Sequence, residues 1–232
     1  MINLKKYLKK AKRLDDMRVL LLLFLFTGLV FPLNYDEAIE KLTDSFNNKL
    51  ETFRADVTQE VKMADMAEPQ VLTGKITIKK PDKIMLEYTA PVKQDIISDG
   101  KTLWVYFKEQ NQVIVQDVSG GENKDNIIFQ LPKYLKFLKE KYVGSLKEEE
   151  KYEEKEAVLL EFVPKTEWED FTRIKLWVDK ENWLPFSTTV YVGESNCITV
   201  RFSNIKTNET AEDSVFDFKV PEGVEKITSL LQ

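Results

Sequence analysis

The chain has 232 residues, with 34 Lys and Arg, 39 Asp and Glu, a single Cys and no His. The lack of His excludes Ser-His-Asp and Cys-His catalysis and imidazole metal sites, and one Cys cannot close an internal disulfide or build a Cys-rich metal centre. The hydrophobic fraction of 43% excludes a disordered chain and is sufficient for a packed core at this length.

An apolar run near the N-terminus differs from the rest of the chain. Residues 19–31 are apolar apart from Thr27 and Gly28, basic residues precede them, and Pro32 ends the run. The run is shorter than the roughly 17–25 residues of a spanning helix and matches the apolar region of a secretory signal peptide. The sequence therefore predicts that residues 1–33 are a signal peptide or a short N-terminal anchor, with the true start at Met1 or Met17. The segment lacks the alternating small residues of a cleavage site, which leaves the anchored form open.

The remaining residues, 34–232, are predicted to form a single domain. Seven of the 34 basic residues and two of the 39 acidic residues lie in the first 33, so this domain carries a net charge of about −10. Such a charge repels nucleic acid and anionic lipid headgroups, so no nucleic-acid partner is expected.

The domain begins with a predicted helix and continues with predicted strands. Apolar residues three and four apart predict a helix over 35–50, with Asn34 as its N-cap. A period of two then predicts eleven strands and a late one near 215–220. Asp99-Gly100 marks a hairpin between two of them. The eleven strands are 53–63, 70–79, 83–89, 93–98, 101–107, 112–118, 142–147, 156–163, 171–179, 186–192 and 197–206.

Residues 125–141 interrupt the strands with a helical pattern that contains Pro132, which predicts two short helices. A sheet of about eleven antiparallel strands curls or closes, and one of its faces needs a cover. The predicted fold is α+β and mainly β: an incomplete antiparallel barrel with an N-terminal helix and an inserted helical lid.

Apolar side chains on alternate positions indicate the covered face. Ile76 and Ile78 share one parity, as do Ile84, Leu86 and Tyr88 on the next strand. Lys80 continues the first parity at the mouth of the sheet, where its ammonium can donate to carbonyls of a covering helix or extend into solvent. The pattern predicts either a solid core or a cavity for an apolar ligand.

Catalytic motifs are absent from the sequence. It has no phosphate-binding glycine loop, dinucleotide fingerprint or nucleophile elbow, and no cofactor or metal is predicted. Acidic pairs such as Asp95 with Asp99, or Asp170 with Asp179, leave a carboxylate hydrolase as a remote alternative. The acidic run 148–156 is interpreted as a solvated hairpin turn.

Several segments resemble the LolA family of periplasmic lipoprotein carriers, in the family's order and over nearly all of residues 35–227. The segment Ser98-Asp-Gly-Lys-Thr-Leu-Trp104 is the most specific match. The others are Phe53-Arg-Ala-Asp-Val-Thr-Gln59, Gly74-Lys-Ile-Thr-Ile-Lys-Lys-Pro81, Leu184-Pro185, Phe202-Ser-Asn204 and Phe216-Asp-Phe-Lys-Val-Pro-Glu-Gly-Val224.

The resemblance implies a non-enzymatic, monomeric periplasmic carrier whose apolar cavity takes the acyl chains of lipoproteins. It implies two partners: an inner-membrane ABC-type releasing complex and an outer-membrane acceptor. The cavity lining predicted from parity and resemblance is Ile76, Ile78, Ile84, Leu86, Tyr88, Trp104, Ile128, Leu131 and Leu135, with Lys80 as the lid contact.

Two positions depart from the family pattern. Lys80 replaces a family Arg and lacks its planar five-donor fork. Leu86 replaces a family Trp. The alternative function is a lipid or lipoprotein sensor, or a scaffold, of the same fold held at the inner membrane by an uncleaved N-terminal segment.

Overall fold

The computed structural model describes residues 33–119, 138–147, 151–152, 155–166 and 171–228. The predicted signal or anchor segment and most of the predicted lid lie outside these residues. The division into a segment 1–33 and a single domain therefore stays a prediction.

The N-terminal helix α1 spans Tyr35–Asp44 and begins at the predicted cap. Asn34 Oδ1 accepts a hydrogen bond from the Glu37 amide at 2.9 Å, which satisfies one of the free N–H groups of the first turn. Residues Ser45–Lys49 continue the helix as a wider π-helical turn, so the regular helix is shorter than the predicted 35–50. Within the described part of the chain, no helix has the length and apolar character needed to cross a membrane.

Among the described residues, thirteen strands follow α1 and form one sheet. All eleven predicted strands are confirmed within a few residues, because their period-two patterns match half-buried strands. The bounds are β1 Thr52–Lys62, β2 Gln70–Lys79, β3 Lys83–Ala90, β4 Gln94–Ser98, β5 Thr102–Phe107, β6 Gln112–Asp117, β7 Tyr142–Leu146, β8 Lys151–Tyr152, β9 Lys155–Pro164, β10 Arg173–Asp179, β11 Pro185–Val192, β12 Asn196–Thr207 and β13 Glu225–Thr228.

The strands are antiparallel neighbours, except that β13 pairs in parallel with β6. The order across the sheet is β13-β6-β5-β4-β3-β2-β1-β12-β11-β10-β9-β7, with the short β8 paired to β9. The described strands β13 and β7 stand at opposite ends of this order, so the sheet is open. The predicted fold class, a mainly β protein with an open antiparallel sheet and an N-terminal helix, is confirmed.

One prediction in the C-terminal region was wrong. The late strand near 215–220 is instead the 3₁₀ turn Asp213–Phe216 followed by irregular chain, and the last strand lies later, at Glu225–Thr228. The alternation of apolar residues in this stretch does not mark a strand, because Phe216 is buried by a turn and Phe218 packs on side chains of another strand.

The sheet has an inner face, which α1 covers, and an outer face on the other side. The inner face is packed solidly at the β7–β10 end, where Leu160, Phe162, Ile174 and Val178 are fully buried. The ring of Tyr35 in α1 lies edge-on to Phe162, with the ring centroids 6.4 Å apart. Each such buried side chain contributes roughly 1.5–3 kcal/mol to folding, so this end of the sheet anchors the helix.

The C-terminal segment after β12 covers the outer face of the opposite end. The ring of Phe218 packs against Trp104 and Tyr106 of β5, with centroids 6.0 and 5.5 Å away. Asp213 forms ion pairs with Lys79 and Lys83 at 2.7 and 3.1 Å. The segment therefore crosses the outer face before β13 joins the sheet beside β6.

Candidate functional site

The structure brings four of the predicted cavity residues together on the inner face. Cross-strand pairing places Ile76 opposite Leu86 and Ile78 opposite Ile84. Directly opposed residues of antiparallel strands share a face, so these side chains form one apolar group. Ile76, Ile84 and Leu86 are between 2% and 7% exposed and pack into a cluster with Phe46 of the π-helical turn, while Ile78 lies at its margin.

Tyr88 lies on the same face, opposite a glycine rather than an apolar side chain. It is paired with Gly74, and a Cβ at Gly74 would collide with the Glu87 carbonyl oxygen of the neighbouring strand. The glycine therefore permits the close approach of β2 and β3. The Tyr88 hydroxyl donates to Gln59 Oε1 of β1 at 2.6 Å, and burial raises the pKa of the phenol.

Lys80 lies just beyond β2 and contacts the π-helical turn that continues α1. Its ammonium donates to the carbonyl oxygens of Phe46 and Asn47, at 3.1 and 2.8 Å. Both carbonyls belong to the π-helical turn, where the backbone lacks some of its helical partners and the helix dipole is negative. Lys80 therefore joins the edge of the apolar face to the helix that covers it.

Trp104 is not brought together with the other predicted cavity residues. It is paired with Ile97 of β4 and Val115 of β6, and this register places it on the outer face against Phe218. The reason is the pairing between β3 and β4, in which Leu86 faces Ile96 rather than Ile97. The predicted parities within β2 and β3 are correct, but the pattern of one strand does not fix the register across the turn to the next.

The same register identifies inner-face residues that the sequence reasoning missed. Leu86 is paired with Ile96, Ile96 with Val105, and Val105 with Ile114, so an apolar strip continues across β4, β5 and β6. Unlike the fully buried inner-face residues of the β7–β10 end, these three side chains are only partly buried. We call Ile96, Val105 and Ile114 the open strip. Following the cross-strand pairs outward from Leu86 is the signal that would have found it.

The remaining predicted lining residues, Ile128, Leu131 and Leu135, lie outside the described residues. Only the end of the predicted lid is described, where residues 138–141 are helical and Leu138 is fully buried. The lid contact of Lys80 therefore stays a prediction.

The candidate catalytic carboxylates that the structure describes each have their own hydrogen-bond or ion-pair partners. Asp95 lies on the outer face, buried, with its Oδ1 2.8 Å from the ammonium of Lys108. Burial raises its pKa, although the bond to Lys108 opposes this shift. Asp99 instead caps a turn, because its Oδ1 accepts from the amides of Lys101 and Thr102, both at 2.8 Å. Asp179 likewise accepts from a turn amide, and Asp170 lies outside the described residues.

One sizeable cavity among the described residues lies elsewhere and is polar. It has a volume of about 730 Å³ and sits near the turn between β10 and β11. Its lining is too charged for an acyl chain: Lys155, Glu156, Asp179, Lys180, Glu181, Asn182, Asn204 and Ile205. In the described residues, no cluster of three or more Cys, Asp or Glu side chains is arranged to hold a metal ion.

Comparison with solved structures agrees with the fold. An uncharacterized conserved protein from Thermus thermophilus superposes with a TM-score of 0.56 at 11% identity, over 84% of this chain and 98% of that one. A chain of the MucA/MucB complex of Pseudomonas aeruginosa gives a TM-score of 0.52 at 14% identity, over 77% of this chain and 59% of that one. At these identities the likeness concerns the fold alone.

Sequence comparison identifies relatives. An uncharacterized protein of Methanocaldococcus jannaschii is 29% identical over 91% of this chain, which spans only 60% of that protein. An outer-membrane lipoprotein carrier protein of Actinobacillus succinogenes is 30% identical over 76% of this chain and 79% of its own length. The model of the family described as outer membrane lipoprotein carrier protein LolA matches residues 48–219. With the open sheet, its covering helix and these matches in agreement, the chain belongs to the LolA family.

Proposed function

We propose that this protein is a non-enzymatic carrier that binds the acyl chains of lipoproteins on its apolar inner face. It works in the periplasm, takes its cargo from an inner-membrane ABC-type releasing complex and passes it to an outer-membrane acceptor. Membership of the LolA family and the carrier names of its relatives support this proposal.

The observation that carries the proposal is the open strip. Ile96, Val105 and Ile114 extend the buried cluster around Leu86 outward as a continuous apolar surface that is only partly covered. The inner face is therefore solidly packed at its β7–β10 end and only partly covered at its β4–β6 end. An acyl chain laid on the open strip would continue the core without displacing it.

Partial cover also suits release of the cargo. Each buried CH₂ of an acyl chain contributes about 0.8 kcal/mol to binding. A fully enclosed cargo with several chains would therefore dissociate too slowly for transfer, whereas a strip that leaves part of each chain exposed binds less tightly. Because this attraction is non-directional, the choice of cargo then depends largely on polar contacts and on partners.

The test is displacement of a bound hydrophobic dye by a lipoprotein acyl group, measured by fluorescence. Leu86→Glu and Ile114→Glu each place a carboxylate on the inner face and should abolish binding of the dye. Met85→Glu and Val115→Glu are matched controls, because each changes a residue that is adjacent in the same strand and points to the outer face. Ile114 and Val115 are both partly exposed, so a glutamate at either position can reach solvent. Comparison of Ile114→Glu with Val115→Glu therefore compares two folded proteins. Equal dye binding by Ile114→Glu and Val115→Glu would contradict the proposal.

A second candidate function is a lipid or lipoprotein sensor, or a scaffold, held at the inner membrane. The apolar run at residues 19–31 and the lack of a well-formed cleavage site favour it. N-terminal sequencing of the exported protein distinguishes the two functions. A mature protein that begins near Asn34 supports the carrier, and an intact apolar run supports the anchored form.

A further inference from the structure

A polar pair lies within the apolar inner face. Gln59 of β1 is paired with Leu72 on one side and Val200 on the other, so its amide sits in an otherwise apolar neighbourhood. Tyr88 of β3 reaches it from two strands away, because Gly74 of the intervening strand has no side chain to block the path of the ring. The 2.6 Å contact between the Tyr88 hydroxyl and Gln59 Oε1 has the length of an O–H···O hydrogen bond.

This bond fixes the direction of the Gln59 amide. The carbonyl oxygen faces the hydroxyl that donates to it, so the NH₂ group points away from Tyr88. Among the described residues the amide nitrogen has no acceptor, and the side chain is half-buried and therefore accessible. Two oriented N–H donors are thus presented from an apolar surface, and a polar group in such a place is costly unless a partner satisfies it.

We propose that Gln59, oriented by Tyr88, is a binding subsite for the ester carbonyl at the head of an acyl chain. The amide N–H donates to the carbonyl oxygen while the hydrocarbon tail lies on the neighbouring apolar surface. The subsite gives the inner face a way to recognise where an acyl chain joins its headgroup, which burial of the tail alone cannot do. This inference rests on the proposed acyl-binding function.

The experiment compares two synthetic lipopeptides that carry chains of the same length on the same glyceryl-cysteine head. In one the chains are joined by esters, and in the other by ethers, which lack the carbonyl oxygen. Affinity is measured by displacement of the bound hydrophobic dye. The unmodified protein should bind the ester about 5- to 10-fold more tightly, which is the contribution expected from one hydrogen bond between the Gln59 amide and the ester carbonyl oxygen.

Three variants assign that preference to the pair. Gln59→Leu should lower the affinity for the ester to that for the ether and leave the ether affinity unchanged. Tyr88→Phe keeps the ring but releases the amide, and should reduce the preference without abolishing binding. Gln70→Leu makes the same change at an exposed position of β2 and should leave the preference intact.

The possible results separate this inference from the proposed function. Equal binding of ester and ether by the unmodified protein overturns the inference while leaving the carrier function in place. A preference that persists in both Gln59→Leu and Tyr88→Phe overturns it as well. Failure of both lipopeptides to displace the dye overturns the proposed function, and the inference with it.

Discussion

Gly144 of β7 leaves open the space that the ring of Tyr35 fills, since a Cβ at this glycine would overlap the ring. Tyr35 is the first residue of α1, so this contact fixes the start of the helix on the solidly packed end of the sheet. We expect Gly144→Ala to lower the free energy of unfolding by about 1–3 kcal/mol, because it overfills a packed site.

Urea denaturation of single and double variants checks this prediction. Tyr35→Ala removes the ring that the new methyl group would meet, so the double variant should lose less stability than the sum of the two single changes. Additive losses would show that the glycine and the tyrosine act independently, contrary to the contact seen here.

The second prediction concerns the tie between Lys80 and α1. Lys80→Met keeps the aliphatic stem but removes the donors to the Phe46 and Asn47 carbonyls. We expect a loss of about 1.5–3 kcal/mol in unfolding free energy, as for hydrogen bonds to a charged group. Amide hydrogen exchange should accelerate in the π-helical turn Ser45–Lys49 more than in β10.

Lys80→Arg is the control, since the guanidinium also donates and should keep most of the protection. The same exchange rates in Lys80→Met and in the unmodified protein would contradict a role for this lysine in holding the end of the helix.

The third prediction is a pH dependence at Asp95. Burial raises the pKa of this carboxyl above its ordinary value of 3.8. The unfolded chain therefore ionises first as the pH rises, and the stability that the protonated carboxyl contributes below pH 3.8 is lost as the pH passes through the raised folded value. Asp95→Asn cannot ionise, so its unfolding free energy relative to the unmodified protein should increase with pH across this range.

Urea titrations from about pH 3 to pH 7 measure that difference. The variant also removes the ion pair with Lys108, which forms only as Asp95 ionises; its effect opposes that of burial and is already included in the raised pKa of Asp95. Asp65→Asn, in the exposed turn between β1 and β2, is the matched control for replacing a carboxylate by an amide at a position that is not buried. A difference that stays flat or falls with rising pH for Asp95→Asn would refute the prediction.

The sequence was sufficient to predict most of the described elements and the class of the fold. Strand periodicity is a local signal, and it marked eleven strands, while the cap at Asn34 marked the start of α1. Family resemblance then gave the open sheet with its covering helix. The strands and the start of the helix could be predicted because they depend on the alternation and spacing of residues within one segment.

Features that depend on pairing between segments were harder to predict. The outer-face position of Trp104 follows from the register of β3 with β4, and the open strip follows from the same register extended to β6. The bond from Tyr88 to Gln59 needs three strands in register and a glycine in the middle one. The parallel strand β13 pairs with β6 over a large sequence separation, for which the local pattern gives no signal.

The pairing of β13 with β6 also has a consequence for biogenesis. Gln112 bonds to Glu225 across this edge, and the two residues are 113 positions apart. During synthesis from the N-terminus, β6 is made long before β13. The edge of β6 therefore has unpaired backbone donors and acceptors in the meantime, and unpaired strand edges favour aggregation. The β6 edge of the sheet therefore stays unpaired until the C-terminal part of the chain has been synthesised.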